Sequence, residues 1–536
     1  MLTFQRSLRR ALHFDPDGRH LRATAVTTAT VLGTYGWALL VEHRAGLHAD
    51  SLVQAVVVAS ALGRVQRAFD RTDRAVACLV LPCAAAGGTE LGTLVRQHPD
   101  VGDAVFVLGM TAAIAVRRFG TRATRAGTLV VLPLVAVLVV PAGVVPTDGH
   151  ARAGWAALTA LFAVVWGTLL TWAAHRTGVL PRPPAAWVVR APAPARPGLS
   201  PSTRMALQMA AALTAAFVVG RTVWPDHWAW VVLSAHLVCS GARSRGDVLV
   251  KGAWRTLGAA AGTLAGGALS GTFGPRSDTA VVLIFAVLAV ATWLRELSYA
   301  YWAACVTAVL CLLYDWFGQD PGNLLRTRLA GIAVGALIGL AASWLVLPIR
   351  TAAVARARTA AALAGLGELL EADWHDVRAV RRARARFAHR VDQLGLAVAP
   401  LRILAALPAP GPHRTSPALE AWSALQGCAG PADALTDAVA AAPADLAGDP
   451  AVTGRRARAA AHALAVRRAI GRRPPPPDGP RADAPEPTDT SDTPAVPGPA
   501  VRTALDALTA LDTRLDALTR LYPPRHAPSA ATATAS

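Results

Sequence analysis

Lysine is all but missing from this chain: Lys251 is the only one, so nearly all fixed positive charge is arginine. Alanine and arginine abound, and biased coding therefore contributes to a pI near 11.2. Charged residues of either sign are scarce, 16% of the total, against 53% hydrophobic. A water-soluble fold could not bury so much apolar surface. Cysteine is sparse too: six residues (78, 83, 239, 305, 311 and 428) form no C-x-x-C pair, and five lie in apolar runs, where they read as small hydrophobes. No metal-ligand pattern or cofactor motif is present. There is no Walker-type glycine-rich loop, no H-E-x-x-H and no G-x-S-x-G elbow, so the chain does not read as an enzyme. Without a nucleotide site it cannot pump by itself; transport would need an ion gradient or an ATPase partner. The N-terminus has two charged clusters and no short apolar core ending in a clear cleavage site, so no removable signal peptide is read and the first helix stays.

What the chain does contain is apolar segments. They fall near 21–41, 47–62, 75–95, 101–116, 125–145 and 155–173, then, after a proline-rich break, near 203–223, 228–241, 253–271, 279–294, 298–314 and 326–347. A mean hydropathy of +0.37 and 15 tryptophans agree with a polytopic, all-α membrane protein of about 12 spans. Several segments are shorter than the roughly 20 residues a straight span needs, which leaves ten to twelve crossings. The formal charge of +19 invites a nucleic-acid reading. That is set aside, because the arginines sit in short blocks between apolar runs and not along one soluble face.

Those blocks alternate. Arg6/Arg9/Arg10/Arg19, Arg64/Arg67/Arg71/Arg74, Arg117/Arg118/Arg122/Arg125, Arg176/Arg182/Arg190/Arg196, Arg243/Arg245/Lys251 and Arg350/Arg356/Arg358 fall on one side; Arg44, Arg96, Arg152, Arg221 and Arg276 stand alone on the other. Basic loops mark the cytoplasmic side, which places both termini in the cytoplasm of a multi-pass protein of the inner (plasma) membrane. Arg295 is a weak block. The two sets of six resemble each other: Arg22 and Arg204 each open a set, Arg118 and Arg295 each follow a fourth segment, and Arg176 and Arg350 each close a sixth. Two sets that start on the same side are parallel repeats, related by an axis along the membrane normal.

The expected organisation is a cytoplasmic N-terminus (1–20), a first six-helix unit (21–173), a proline-rich linker (174–202), a second six-helix unit (203–349), a cytoplasmic helical domain (350–472), a disordered proline-rich linker (473–500), a C-terminal helix (501–523) and a disordered tail (524–536). In that last helix Leu508, Leu511, Leu515, Leu518 and Tyr522 repeat at spacings of three and four. The pattern suits a short coiled-coil seam, a route to homo-oligomers, or packing back on the chain's own helices.

Polar groups at membrane depth are costly unless paired or hydrated, so they mark candidate pathways. His236, eight residues into its segment, could titrate and couple proton movement to transport; the alternative is a neutral histidine bonded to a neighbouring helix. Gln54 and Gln208 would line a cavity or bridge helices. Glu90 is the one acidic residue clearly inside an apolar run, near its outer end. Arg255 begins the ninth segment and Arg328 the twelfth; either could attract an organic anion or anchor its helix at the headgroups. Each precedes glycines four apart, Gly258/Gly262/Gly266 and Gly331/Gly335/Gly339, a spacing that puts small residues on one helix face for close packing. The tryptophans, among them Trp228, Trp230, Trp302 and Trp344, read as interface belts.

The run W-A-W-V-V-L-S (228–234), the basic loop after it, R-T-L-G (255–258) with its glycine ladder, and a last span ending S-W-L-V-L-P (343–348) resemble the fusaric-acid-resistance (FUSC) proteins, related to the bacterial aromatic acid exporters. The likeness covers 203–350, and 21–173 only through the repeat. Ala259 stands where the family often has threonine. The resemblance implies an inner-membrane permease that expels aromatic or other small organic acids and toxic amphipathic compounds, driven by the proton gradient. Only Arg255, Gly258 and Gly262 carry over, as motif positions. Expected partners are the lipid bilayer and a small organic anion, with no nucleic acid. The competing reading is a non-transporting scaffold or sensor acting through the cytoplasmic helices.

Overall fold

The computed structural model describes residues 15, 17–45, 50–139, 150–181, 199–269, 272–318, 321–406, 416–471 and 498–523. The centres of both proline-rich linkers, most of the N-terminal stretch and the tail beyond 523 lie outside them. The chain divides into two units, Met1–Ile349 and Arg350–Ser536, and among the described residues all regular structure is helical.

In the first unit the helices are α1 (Arg19–Ala45), α2 (Asp50–Val65), α3 (Arg71–Gln97), α4 (Pro99–Ala115), α5 (Thr121–Val139) and α6 (His150–Arg176), then α7 (Pro201–Val223), α8 (Trp228–Cys239), α9 (Arg245–Leu269), α10 (Asp278–Leu294), α11 (Tyr299–Trp316) and α12 (Pro321–Leu345). Eight of them are long and apolar enough to cross a membrane: α1, α3, α4 with its 3-10 tail, α5, α6, α7, α11 and α12. The chain is therefore a polytopic all-α membrane protein.

Local chemistry sets the helix ends. Asp70 and Asp73 cap α3 reciprocally, each carboxylate accepting the other's backbone N–H at 2.7 and 3.0 Å. Ser200 accepts from Thr203 N–H at 3.1 Å, with Pro201 at the first helical position of α7. Within α1, Thr27, Thr30 and Thr34 satisfy their hydroxyls on carbonyls one turn back, at 3.0, 2.9 and 2.8 Å, so the polar stripe carries no unmet donors.

Packing pairs α1 with α2, α1 with α6, α2 with α6, α3 with α5, α3 with α6 and α4 with α5. These six pairs recur six helices later as α7–α8, α7–α12, α8–α12, α9–α11, α9–α12 and α10–α11, whereas the α2–α5 and α3–α4 packing of the first set has no comparable counterpart. Across the halves, α4 lies on α7 and α10 lies on α1, the fourth helix of each set against the first of the other. α5 meets α8.

Three sequence expectations need correction. First, α9 begins at Arg245, so Lys251 lies in the helix and not in a loop, and Arg255 is ten residues in, about 15 Å at helical rise. The polar R-G-D-V opening reads as loop, but Asp247 accepts Arg243 N–H at 2.9 Å and starts the helix there. Likewise α12 starts at Pro321, ahead of Arg328. Second, Trp228 and Trp230 are no interface belt; both are buried, and Trp230 Nε1 donates to the Tyr314 hydroxyl at 3.1 Å. Third, Cys78 and Cys83 are exposed on α3, and of the six cysteines only Cys428 is buried.

The second unit holds α13 (Thr351–Leu370), α14 (Val377–Ala405), α15 (Pro417–Gly427), α16 (Ala429–Ala441), α17 (Pro443–Gly448), α18 (Pro450–Gly471) and α19 (Pro499–Leu521). Its core is centred on Trp374, Phe387, Leu425 and Leu435. Glu368 on α13 pairs with Arg386 and Arg390 of α14 at 2.9 and 2.8 Å, which accounts for two arginines of the basic run 381–390. The leucines at 508, 511, 515 and 518 are at most 1% exposed inside this core, where α19 packs on α16 and α18. The coiled-coil reading of that seam is thus corrected: its apolar stripe is already covered by its own unit.

Candidate functional site: a cationic cavity between two helix sets

A cavity of about 620 Å³ lies between the first six helices and the second. α2 and α5 line it from one side, α8 and α11 from the other, with α9 and α10 closing the second set's flank. α11 contributes from Tyr299 to Trp316, seventeen steps or about 25 Å at helical rise, so the cavity follows the bundle lengthwise.

Its two ends differ. One carries Arg64 at the end of α2, Arg117 in the 3-10 turn after α4, Lys251 and Arg255 on α9, and Arg295 just after α10. The other is apolar and aromatic, with Tyr35, Phe285 and Trp316; Tyr35 and Phe285 meet edge to face at 4.8 Å and join α1 to α10. Among the lining residues there are five fixed cations and no carboxylate. Cations facing a hollow whose lining carries no acid attract anions, with Glu296 acting on Arg64 and Arg295, and Asp247 on Lys251, from outside the lining.

The cations are positioned by packing. Gly258, Gly262 and Gly266 let α9 lie directly on α11: a Cβ at those positions would stand 2.5 Å from the Ala300 carbonyl oxygen, 2.1 Å from that of Ala304 and 2.6 Å from Cys311 Cβ. This seam sets Arg255, one turn before Gly258, beside Tyr299 at the start of α11. Gly335 makes a similar approach to the Val231 carbonyl of α8 at 2.3 Å, flanked by Gly339 near Cys239 and, more loosely, Gly331 near Trp230. Lys251 Nζ donates to the Ser240 carbonyl oxygen and lies 5.2 Å from the Tyr299 ring. Arg295 stacks on Trp302 at 4.6 Å.

Of the residues singled out by sequence, His236 and Arg255 line this cavity. His236 is 3% exposed and its Nδ1 has no hydrogen-bond partner; Arg255 is 1% exposed, and its Nε and Nη1 have none either. Arg328 lies off the lining, 5.5 Å from each of the Trp230 and Tyr314 rings. Gln208 is a helix bridge: its Nε2 donates to the carbonyls of Ser343, Val346 and Leu347 at 3.4, 2.9 and 3.2 Å. Gln54 and Thr89 share a contact at 3.5 Å in a second, small hollow within the first six helices. Glu90, on α3, lines neither. Sequence reasoning missed Arg64, Arg117 and Arg295 as site residues because each looked like a topology marker; their shared place, just after a second or fourth segment, was the available signal.

A polytopic helical protein with a cation-lined hollow between its helix sets is transporter-type in its architecture. Residues 209–342 match the family model described as fusaric acid resistance protein-like, which supports the resemblance seen in the R-T-L-G run and its glycines. No curated protein matches the chain.

Proposed function

We propose that the chain is a secondary transporter, not an enzyme, that exports small organic anions, aromatic acids among them, through the cavity between its halves. One observation carries the reading: five cationic side chains and no carboxylate face a hollow whose far end is apolar. A substrate with one negative head and a hydrophobic body matches both ends, and the volume suits a small molecule.

Two parallel six-helix repeats and about twelve crossings are part of the same reading. The recurrence of six helix pairs supports it, as does the exchanged contact of fourth and first helices across the halves. Gly88 and Gly92 on α3 approach Pro133 and Val137 of α5 as Gly262 and Gly266 on α9 approach α11, each pair 174 residues apart (262 − 88 and 266 − 92). The arginine blocks argue for cytoplasmic termini and a plasma-membrane location. His236, buried at the cavity wall, is the group we assign to proton coupling. The scaffold alternative loses its leucine seam to the core of the second unit.

The test is transport by purified protein in proteoliposomes preloaded with labelled benzoate, with and without a pH gradient. Gradient-dependent benzoate movement is expected in wild type, with His236→Gln moving benzoate but insensitive to the gradient. No movement of benzoate or octanoate above empty vesicles would sink the reading.

A further inference from the structure

Among the described residues, Arg255 alone has two buried side-chain nitrogens without a hydrogen-bond partner. It is 1% exposed, and neither Nε nor Nη1 meets an acceptor. The titratable groups that act on it are Tyr299 and Arg328, and neither is a carboxylate. The Tyr299 hydroxyl, acted on by Arg255 and Arg295, is likewise buried without a partner. A guanidinium and a phenol buried without partners are costly unless something accepts from them.

We propose, resting on the transport reading above, that Arg255 and Tyr299 form one carboxylate-binding subsite at the cationic end of the cavity. The guanidinium presents its N–H fork to both carboxylate oxygens and the phenol donates a third hydrogen bond to one of them. Lys251 is already held by the Ser240 carbonyl and raises the local potential without being the docking group. The body of the ligand then lies along α11 toward Trp316, where the lining turns apolar. The ligand is an amphipathic monocarboxylate, bound head first.

The subsite is one-sided. In the register of the paired glycines, Arg255 corresponds to Leu81 (255 − 174) and Lys251 to Ala77 (251 − 174) of α3; both are buried apolar residues. The first half therefore offers no second copy, and one chain takes one carboxylate.

The experiment is calorimetric titration of the purified full-length protein with benzoate, and with benzamide as its neutral counterpart. Tyr299→Phe should weaken benzoate binding about tenfold and Arg255→Lys about ten- to a hundredfold. The stoichiometry should stay near one, and benzamide should not distinguish the three proteins. Tyr299→Phe removes a single oxygen, so an unchanged melting temperature separates lost binding from lost fold. Wild-type affinity in both variants would overturn the subsite; if they also carry benzoate in vesicles, transport stands without it. Failure of wild type to bind or move benzoate would remove both proposals together.

Discussion

Gly262 and Gly87 both sit inside apolar helices, yet one added carbon means different things at each. A Cβ at 262 would stand 2.1 Å from the Ala304 carbonyl, between two backbones that cannot give way, whereas a Cβ at 87 meets nothing within 4 Å. Gly262→Ala should lower thermal stability by about 1–3 kcal/mol through overpacking; Gly87→Ala should be neutral or slightly stabilising. Melting curves of the two purified variants compare them directly, and equal stability would remove the glycine-seam account. Cys428 offers a second check at this scale. Burial pushes its thiol up to about 12, the nearby Arg514 opposing only in part, against about 8.5 for an unfolded cysteine. Because the folded value is raised, the stability it contributes is whole below about pH 8.5 and drains as pH climbs toward 12. Native protein should therefore resist iodoacetamide at Cys428 at pH 8, with alkylation mapped there by mass spectrometry only after denaturation. At the level of residues, the glycine seams were legible because four-residue spacing is a property of sequence alone. The isolation of Arg255 was not: it depends on where α9 starts, and the capping by Asp247 is hidden in a run that looks like loop.

Among the helices, α8 shows why length and hydropathy mislead. Its 12 residues span about 18 Å, well short of a bilayer core, and nine of them are buried. A helix apolar on every side and buried on nearly every side is enclosed by protein and not bathed in lipid. The sequence shows the apolar run but not what surrounds it. α19 was ambiguous for the opposite reason: a leucine stripe fits a partner chain or the home unit equally well, and only tertiary packing chooses. Since Leu511 and Leu515 are fully buried, Leu511→Asp should detach α19 and expose it to limited proteolysis. Leu515→Ala should cost about 2–5 kcal/mol. Unchanged digestion in the aspartate variant would argue against the docked helix. Gln208 works at the same scale. It gathers carbonyls at the exit of α12, where Leu347 holds φ +47, so Gln208→Leu should destabilise by about 1–3 kcal/mol by leaving them unmet.

For the first unit as a whole, the joint between the two helix sets matters most. Arg221 of α7 grips Asp103 of α4 through two contacts of 2.6 Å, adds a bond to the Val95 carbonyl at 3.1 Å and stacks on Trp228 at 4.4 Å. This ion pair spans the halves 118 residues apart in sequence. A double-mutant cycle with Asp103→Asn and Arg221→Gln should return a coupling of about 1–3 kcal/mol in thermal unfolding; additivity would mean the halves are held by apolar contact alone. Arg221 looked like a lone charge on the sparse side of the sequence, since its partner is remote and its purpose tertiary. The cavity itself was illegible for the same reason: its four arginines come from four separate stretches that meet only after the halves close on each other.

The difference between α3 and α9 has a further consequence. Two identical six-helix subunits meeting on an axis would have to confront each guanidinium with its own mirror, so every charge added for cargo would be added again as self-repulsion. Joining the halves in one polypeptide lifts that obligation. Leu81 can keep its helix greasy while Arg255 carries the charge, and the centre becomes a lopsided well with a single deepest point.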